Sequence, residues 1–396
     1  MSMMSSLQRR IKLQLIALCI TGAAHAQTVT PSGIELHFGG LGTDGANAIA
    51  ALSDGGFALA GWKTLDQDRS VTESWLVRVN HRGAYMWDLQ LPHSAPYGVT
   101  ALSPAFDGGL YVVDGERGDK TGTTRLSKIS PEGVTESQRT YGSSAGDTLS
   151  ALRPTFDGGL ILVGRTLNRT TNQDDGWVLK LDRSHDVEWF RVIGGPGEDG
   201  LEDVSLSTDG GYTAVGWSTQ ESDHVVGWSL KLSEKGATEW DTFHDIGVDT
   251  EFHHVLPAPA GSTIAAATTR ATNGDGRKIV ILAMDSEGAL SWQQSISSPG
   301  SATATGLAHA ATGGYLLSAS IEDQNGMAGL AVGIGSDGTL DFIHRHQGSG
   351  ALRALAITST SNGGYAVAGS SAGQRTLDQD VWLLINDSLN VNKSKE

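Results

Sequence analysis

Apolar and small residues alternate with polar ones in short stretches along nearly the whole chain, and no stretch sustains a 3.6-residue period. Period-2 patterning of this kind predicts β-strands with one face packed and the other turned outward. The strands come in groups. Asp-Gly-Gly followed by an aromatic or Leu occurs at Asp54-Gly55-Gly56-Phe57, Asp107-Gly108-Gly109-Leu110, Asp157-Gly158-Gly159-Leu160 and Asp209-Gly210-Gly211-Tyr212. Weaker copies stand at Ala260-Gly261, Thr312-Gly313-Gly314-Tyr315 and Asn362-Gly363-Gly364-Tyr365. Taking residues 56, 109, 159, 211, 261, 314 and 364 as the marker, the spacings are 53, 50, 52, 50, 53 and 50.

Each unit repeats one internal order. An alternating stretch such as Ala48-Ile49-Ala50-Ala51-Leu52 precedes the glycine pair, and a second such as Tyr212-Thr213-Ala214-Val215-Gly216 follows it. After a polar loop, a third stretch carries Trp75, Trp177, Trp228 or Trp382. A turn with Gly83, Gly133, Gly236, Gly288 or Gly338 then leads to a fourth, with Trp87, Trp189, Trp240, Trp292 or Phe342. These are four strands per unit, here called A to D. Four antiparallel strands repeated about every 40–50 residues predict the blades of a β-propeller. The seventh unit ends after its Trp382 strand without a strand D. Its counterpart is at the other end of the chain, where residues 33–40 match strand D, with His37 in the Trp/Phe column. The expectation is therefore an all-β, seven-bladed propeller of four-stranded antiparallel blades, closed by an N-terminal strand that completes the last blade. Closure removes the free sheet edges of an open array.

The Asp-Gly-Gly-aromatic, Trp-x-x-Lys/Arg and Gly-x-x-x-Trp grammar resembles that of secreted bacterial β-propeller repeat proteins, over nearly all of residues 33–391. It lacks the Gly-His and Trp-Asp marks of WD repeats, and the Kelch pattern fits poorly. The resemblance implies the fold and names no activity, because propellers host lyases, hydrolases, lectins and scaffolds alike.

Composition adds a compartment. Arg9, Arg10 and Lys12 precede a mostly apolar stretch at 13–20 and then Ala24-His25-Ala26. This is the layout of a signal peptide cut after residue 26, too short in its apolar part to span a bilayer. Residues 1–26 are read as that signal, 27–391 as one propeller domain and 392–396 as a tail. The expected location is secreted or periplasmic, in a Gram-negative bacterium. The one cysteine, Cys19, falls inside the signal. Glycine makes up 52 of 396 residues, well above the ordinary share of roughly 7%. That suits many turns, without the every-third spacing of collagen. The mature chain would carry 25 Lys and Arg against 44 Asp and Glu, a net −19. Such a surface repels phosphate backbones and anionic lipid, so neither nucleic acid nor a membrane span is expected.

Candidate chemistry divides into repeated and unrepeated residues. The repeated Asp54, Asp107, Asp157 and Asp209 are read as turn formers and the repeated Trp residues as inter-blade core. The D–A and B–C connections share one face of the disc and include the longer loops. Their acids include Asp66, Asp68, Asp174, Asp175, Asp223, Asp275, Asp323, Asp378 and Asp380. No cofactor is expected, although Asp-x-Asp pairs offer hard oxygen ligands of the kind calcium takes.

On strand A, eight residues before each marker, the column reads Ala48, Ala101, Ala151, Asp203, His253, Gly306 and Ala356. The next position reads Ile49, Leu102, Leu152, Val204, His254, Leu307 and Ile357. Neighbouring blades 4 and 5 depart from these patterns. Glu202, Asp203, Glu251, His253 and His254 are therefore expected to cluster near the axial channel, where a His beside a carboxylate is a candidate general base. Being adjacent on a strand, His253 and His254 would point to opposite faces, which argues against a shared metal. His344 and His346, on an outer strand D, are expected at the surface.

Three functions remain. The first is a monomeric binding module for a glycan or protein ligand on the long-loop face. The second is a polysaccharide lyase or glycosidase using the blade 4/5 cluster. The third is a structural assembly platform.

Overall fold

The structure is a computed structural model. It describes residues 33–387 except 41, 66–71, 95–97, 116–123, 143–146, 221–223, 271–275, 297–299, 349 and 373–378. The expected signal (residues 1–26) and tail (392–396), with Asp66, Asp68, Asp223, Asp275 and Asp378, lie outside the described residues.

Alternating sequence becomes four-stranded antiparallel sheets seven times over. Blade 1 is β2 (Gly45–Ala51), β3 (Phe57–Thr64), β4 (Thr72–Val79) and β5 (Tyr85–Ser94). Blade 2 is β6 (Val99–Pro104), β7 (Leu110–Gly115), β8 (Thr124–Ile129) and β9 (Thr135–Tyr141). Blade 3 is β10 (Thr148–Pro154), β11 (Leu160–Asn168), β12 (Gln173–Leu181) and β13 (Val187–Ile193). Blade 4 is β14 (Asp199–Leu206), β15 (Tyr212–Gln220), β16 (His224–Leu232) and β17 (Thr238–His244). Blade 5 is β18 (Val248–Pro257), β19 (Thr263–Arg270), β20 (Arg277–Met284) and β21 (Leu290–Ile296). Blade 6 is β22 (Ser301–His309), β23 (Tyr315–Asp323), β24 (Gly326–Ile334) and β25 (Leu340–His346). Blade 7 is β26 (Leu352–Ser359), β27 (Tyr365–Ala372) and β28 (Gln379–Asn386), completed by β1 (Ile34–Phe38). Ile34 pairs with Ile385 and His37 with Trp382. In blade 3 the column residue Trp189 pairs with Lys180, three residues after Trp177, and Val192 pairs with Trp177 itself. The N-terminal strand therefore completes blade 7 as expected, but Ile34 and not His37 stands in the Trp/Phe column, which corrects the sequence expectation. Each A strand packs against the A strand of the next blade, and β26 meets β2, so the ring is closed.

The apolar face of each sheet meets its neighbour. Trp75, Trp177, Trp228 and Trp382 are buried between blades with Val, Leu and Ile from the B and C strands. The strand-D Trp residues lock neighbouring blades in another way. The indole N–H groups of Trp87, Trp189 and Trp240 donate to the carbonyls of Pro131, Glu234 and Ser286 in the next blade's C–D turn, at 3.0, 3.1 and 2.9 Å.

The Asp-Gly-Gly turns hold a buried charge as well as a bend. Asp157 Oδ1 accepts the Gly159 N–H at 2.9 Å, while Oδ2 meets Lys180 Nζ at 2.7 Å. Asp107 and Asp209 hold Lys128 and Lys231 in the same way, and Asp54 holds Arg78. This explains the Trp-x-x-Lys/Arg element of the repeat: the cation on strand C reaches the turn between strands A and B.

Blade 5 requires a realignment. Ala258 N–H bonds Ser262 O just as Leu52 N–H bonds Gly56 O, and Gly261 has φ +76° where Gly55 has +82°. Gly261 therefore matches the first glycine of the pair, and Ser262 the second. The strand-A column shifts by one, placing His254, not His253, opposite the expected position of Asp203. Val255 then keeps the apolar column intact, fully buried.

His344 and His346 are a correction. His346 is 5% exposed and both rings pack on Tyr365 of blade 7, with His344 Nδ1 2.7 Å from its hydroxyl. Strand D is outermost within its blade, yet its inward face still packs against the neighbouring blade.

Candidate functional site

All seven A strands contain a one-residue bulge at the same place. It falls at Asn47, Thr100, Ser150, Glu202, His253, Thr305 and Leu355. A bulge leaves one residue out of the ladder and re-aims its side chain. At Asn47 and Thr305 the re-aimed polar group staples the next blade, donating to Val99 O at 3.0 Å and Ala354 O at 2.8 Å. The position after the bulge is Ala or Gly in five blades; Asp203 and His254 are the other two.

Those two are brought together, and a third residue joins them. Asp203, 3% exposed, receives Arg153 Nη2 from blade 3 at 2.7 Å on Oδ1. Its Oδ2 accepts the Val255 N–H of blade 5 at 3.1 Å and lies 3.8 Å from His254 Nδ1. The Val204 N–H adds a fourth contact at 2.8 Å. Burial alone would raise the Asp203 carboxyl, but the Arg153 charge, then His254 and the Val255 N–H, hold it below its ordinary value. It is a carboxylate at neutral pH and ties three blades together beside the axis. Arg153 and His254 each keep about a third of their side chains exposed.

The remaining candidates stand apart. Glu202 accepts the Trp217 indole N–H at 3.3 Å. Glu251 lies opposite Thr268, 4.0 Å from Arg277. His253 Nε2 is sealed without a hydrogen-bond partner, although other atoms of the residue reach solvent. Burial, reinforced by His254 and Arg277, pushes its pKa down to about 3, so the ring is neutral at physiological pH and ill suited to take up a proton.

Arg153 was missed in the sequence reading. Two positions beyond the Asp203 column stand Ala50, Ser103, Arg153, Ser205, Leu256, Ala308 and Thr358. Arg153 is the one charged residue among them, so the same test of departures, extended by two positions, finds it.

Among the loop-face acids, Asp323 pairs with Arg345 at 2.8 Å and Asp174 approaches Arg165 at 3.7 Å. Asp175, adjacent to Asp174 on β12, turns the other way and is buried against blade 4. Among the described residues no group of three or more His, Cys, Asp or Glu stands ready to hold a metal. Among them too, no helix is long and apolar enough to cross a membrane.

No protein-family profile and no curated protein matches the chain. Solved structures do. Sqt1 from Chaetomium thermophilum is 16% identical, with 86% of this chain and 82% of that one covered and a TM-score of 0.50. YCF48 bound to D1 peptide is 14% identical, with 92% and 98% covered and a TM-score of 0.51. Puromycin hydrolase is 16% identical with a TM-score of 0.53; 86% of this chain aligns with 51% of that longer one. At these identities the likeness is one of fold. A seven-bladed propeller is consistent with a binding or scaffold module.

Proposed function

We propose that the protein is a monomeric binding module, secreted or periplasmic, that holds a glycan or protein ligand on the face of its D–A and B–C connections. The observation that carries this reading is the contrast between the two faces. A–B and C–D turns close with nearly the same hydrogen bonds blade after blade, as in Gly55 to Leu52, Gly108 to Ala105, Gly158 to Thr155 and Gly210 to Ser207. The B–C connections instead run from two residues between β23 and β24 to eight between β7 and β8. Variable loops on a rigid scaffold are where recognition residues concentrate. The YCF48 structure holds a D1 peptide, so a protein ligand is within the reach of this fold. The leader-like residues 1–26 support export.

The geometry favours binding over catalysis. Asp203 is already bonded to Arg153 and two backbone N–H groups, and His253 is held neutral. On the loop face of blades 4 and 5, His224 meets Asp245 and Arg270 meets Asp249, each at 3.1 Å. The test begins with a glycan array and a peptide library probed with the mature chain. His224→Ala with Arg270→Ala should weaken capture of a hit at least tenfold, while Glu132→Ala, in a C–D turn on the opposite face, should leave it unchanged. The reverse pattern overturns the proposed face. Release of reducing ends or of ultraviolet-absorbing unsaturated uronate, abolished by Asp203→Asn, would replace binding by the enzymatic reading.

A further inference from the structure

We propose that Asp175 and Asp199 bind a divalent cation of the calcium class at the junction of blades 3 and 4. Asp175 is the third residue of β12 and Asp199 the first of β14, and they are 5% and 1% exposed. The two carboxylates converge over Gly194. A Cβ at that glycine would lie 2.5 Å from Asp175 Oδ1 and 2.8 Å from Asp199 Oδ2. Asp175 Oδ2 accepts the Asn168 amide at 2.7 Å, and Asp199 Oδ2 accepts the Gly195 N–H. Asp175 Oδ1 is buried and has no hydrogen-bond partner. Among the described residues no Lys, Arg or His pairs with either carboxylate, since the nearby Arg165 is directed to Asp174.

Two carboxylates sharing a desolvated space cannot both stay ionised without a positive occupant. The occupant is either a shared proton or a cation. The donor set selects among cations. It offers two hard carboxylates and no sulfur or imidazole, which disfavours zinc. Calcium accepts few protein charges and fills its shell with neutral oxygens and water. Sites of that economy in extracellular modules bind at about 10⁻⁴–10⁻³ M.

The junction of blades 7 and 1 repeats the layout. A side chain at Gly39 would collide with Asp380 Oδ1 and lie 3.0 Å from Asp44 Oδ2. There Asp44 is satisfied by the Gly40 and Thr64 N–H groups, each at 2.8 Å. The arrangement thus recurs at a second blade junction, and the orphaned Asp175 oxygen distinguishes the blade 3/4 copy.

The experiment is calcium titration of the EDTA-stripped mature chain by isothermal calorimetry, with melting followed in parallel. The wild type should show saturable binding and melt several degrees higher in 10 mM calcium. Asp199→Asn should lose one equivalent of bound calcium and, in EDTA, melt no lower than wild type, because the carboxylate repulsion is gone. Asp175→Asn serves as the second variant and should lose the same equivalent. Absence of saturable binding by the wild type, or an unchanged number of equivalents in both variants, overturns the assignment in favour of a shared proton.

Discussion

Lys180 is 1% exposed, and its ammonium is met by Asp157 at 2.7 Å, Glu188 at 3.1 Å and the Leu181 carbonyl at 3.0 Å. Buried charges persist where they are paired and hydrogen-bonded. The chain itself shows the coupling. Blades 1 to 4 have both the turn Asp and the strand-C cation, whereas blades 5 to 7 have Ala260 with Ala283, Thr312 with Gly333 and Asn362 with Ile385. Buried histidines are a different case, because they are held neutral. Burial pushes His244 and His346 down to about 4, with His344 adding to the effect at His346. His244 Nε2 sits 2.8 Å from the buried Ser229 hydroxyl. Unfolded chains bind these protons near pH 6.5 and the native chain does not, so the unfolded state carries more protons between about pH 4 and 6.5. Stability should therefore be flat above pH 7 and fall as pH drops through that window, by on the order of 3 kcal/mol per histidine. Asp199, with its raised carboxyl, opposes part of the fall. Urea midpoints at pH 7.5 and 4.5 should differ clearly in the wild type and less in His244→Gln; identical midpoints would refute the account.

At the scale of elements, the C–D turns connect strand order to ring assembly. Gly133, Gly236, Gly288 and Gly338 have φ between +75° and +86°. Each also lies under an indole of the preceding blade, as Gly288 does under Trp240, where a Cβ would come within 2.7 Å of the ring. The exception supports the rule. Blade 2 has Ser137 in the Trp column, and the facing turn of blade 3 carries a side chain, His185, at φ +61°. Gly288→Ala should cost roughly 2–4 kcal/mol, combining left-handed strain with overpacking. A melting temperature within a degree of wild type would show that the lock carries little. The regular spacing of glycine and Trp was legible in the sequence, as were the strands. The bulge on strand A was not, because a one-residue slip leaves composition and period unchanged. Nor was the alignment of blade 5, whose Gly261 takes the first and not the second glycine place of the turn, so that His253 and His254 exchanged places.

At the scale of the whole molecule, β1 decides whether blade 7 is a sheet or an open edge. It pairs with β28 over five residues, and Glu35 accepts the Trp382 indole N–H at 2.7 Å. Without it, the outer edge of β28 would present unpaired backbone groups and uncover the Trp382 face. Removing residues 27–38 should lower the melting temperature by ten degrees or more. It should also shift the chain into higher oligomers through edge pairing, read by size-exclusion chromatography. A monomer of unchanged stability would mean that the ring closes without its clasp.

By itself, the sequence determined the seven units, their strand order, the missing strand D and its place at the N-terminus. These follow from spacing and alternation, which a chain carries locally. It also marked Asp203 and its histidine neighbours as exceptions to the repeat. Only the tertiary structure decided what those exceptions do, because Arg153, Asp203 and His254 belong to different blades about 50 residues apart and meet through the ring. The same is true of Asp175 and Asp199, which approach each other because one blade's third strand leans on the next blade's first. Burial, which sets the charge state of each of these groups, exists only once the blades have packed.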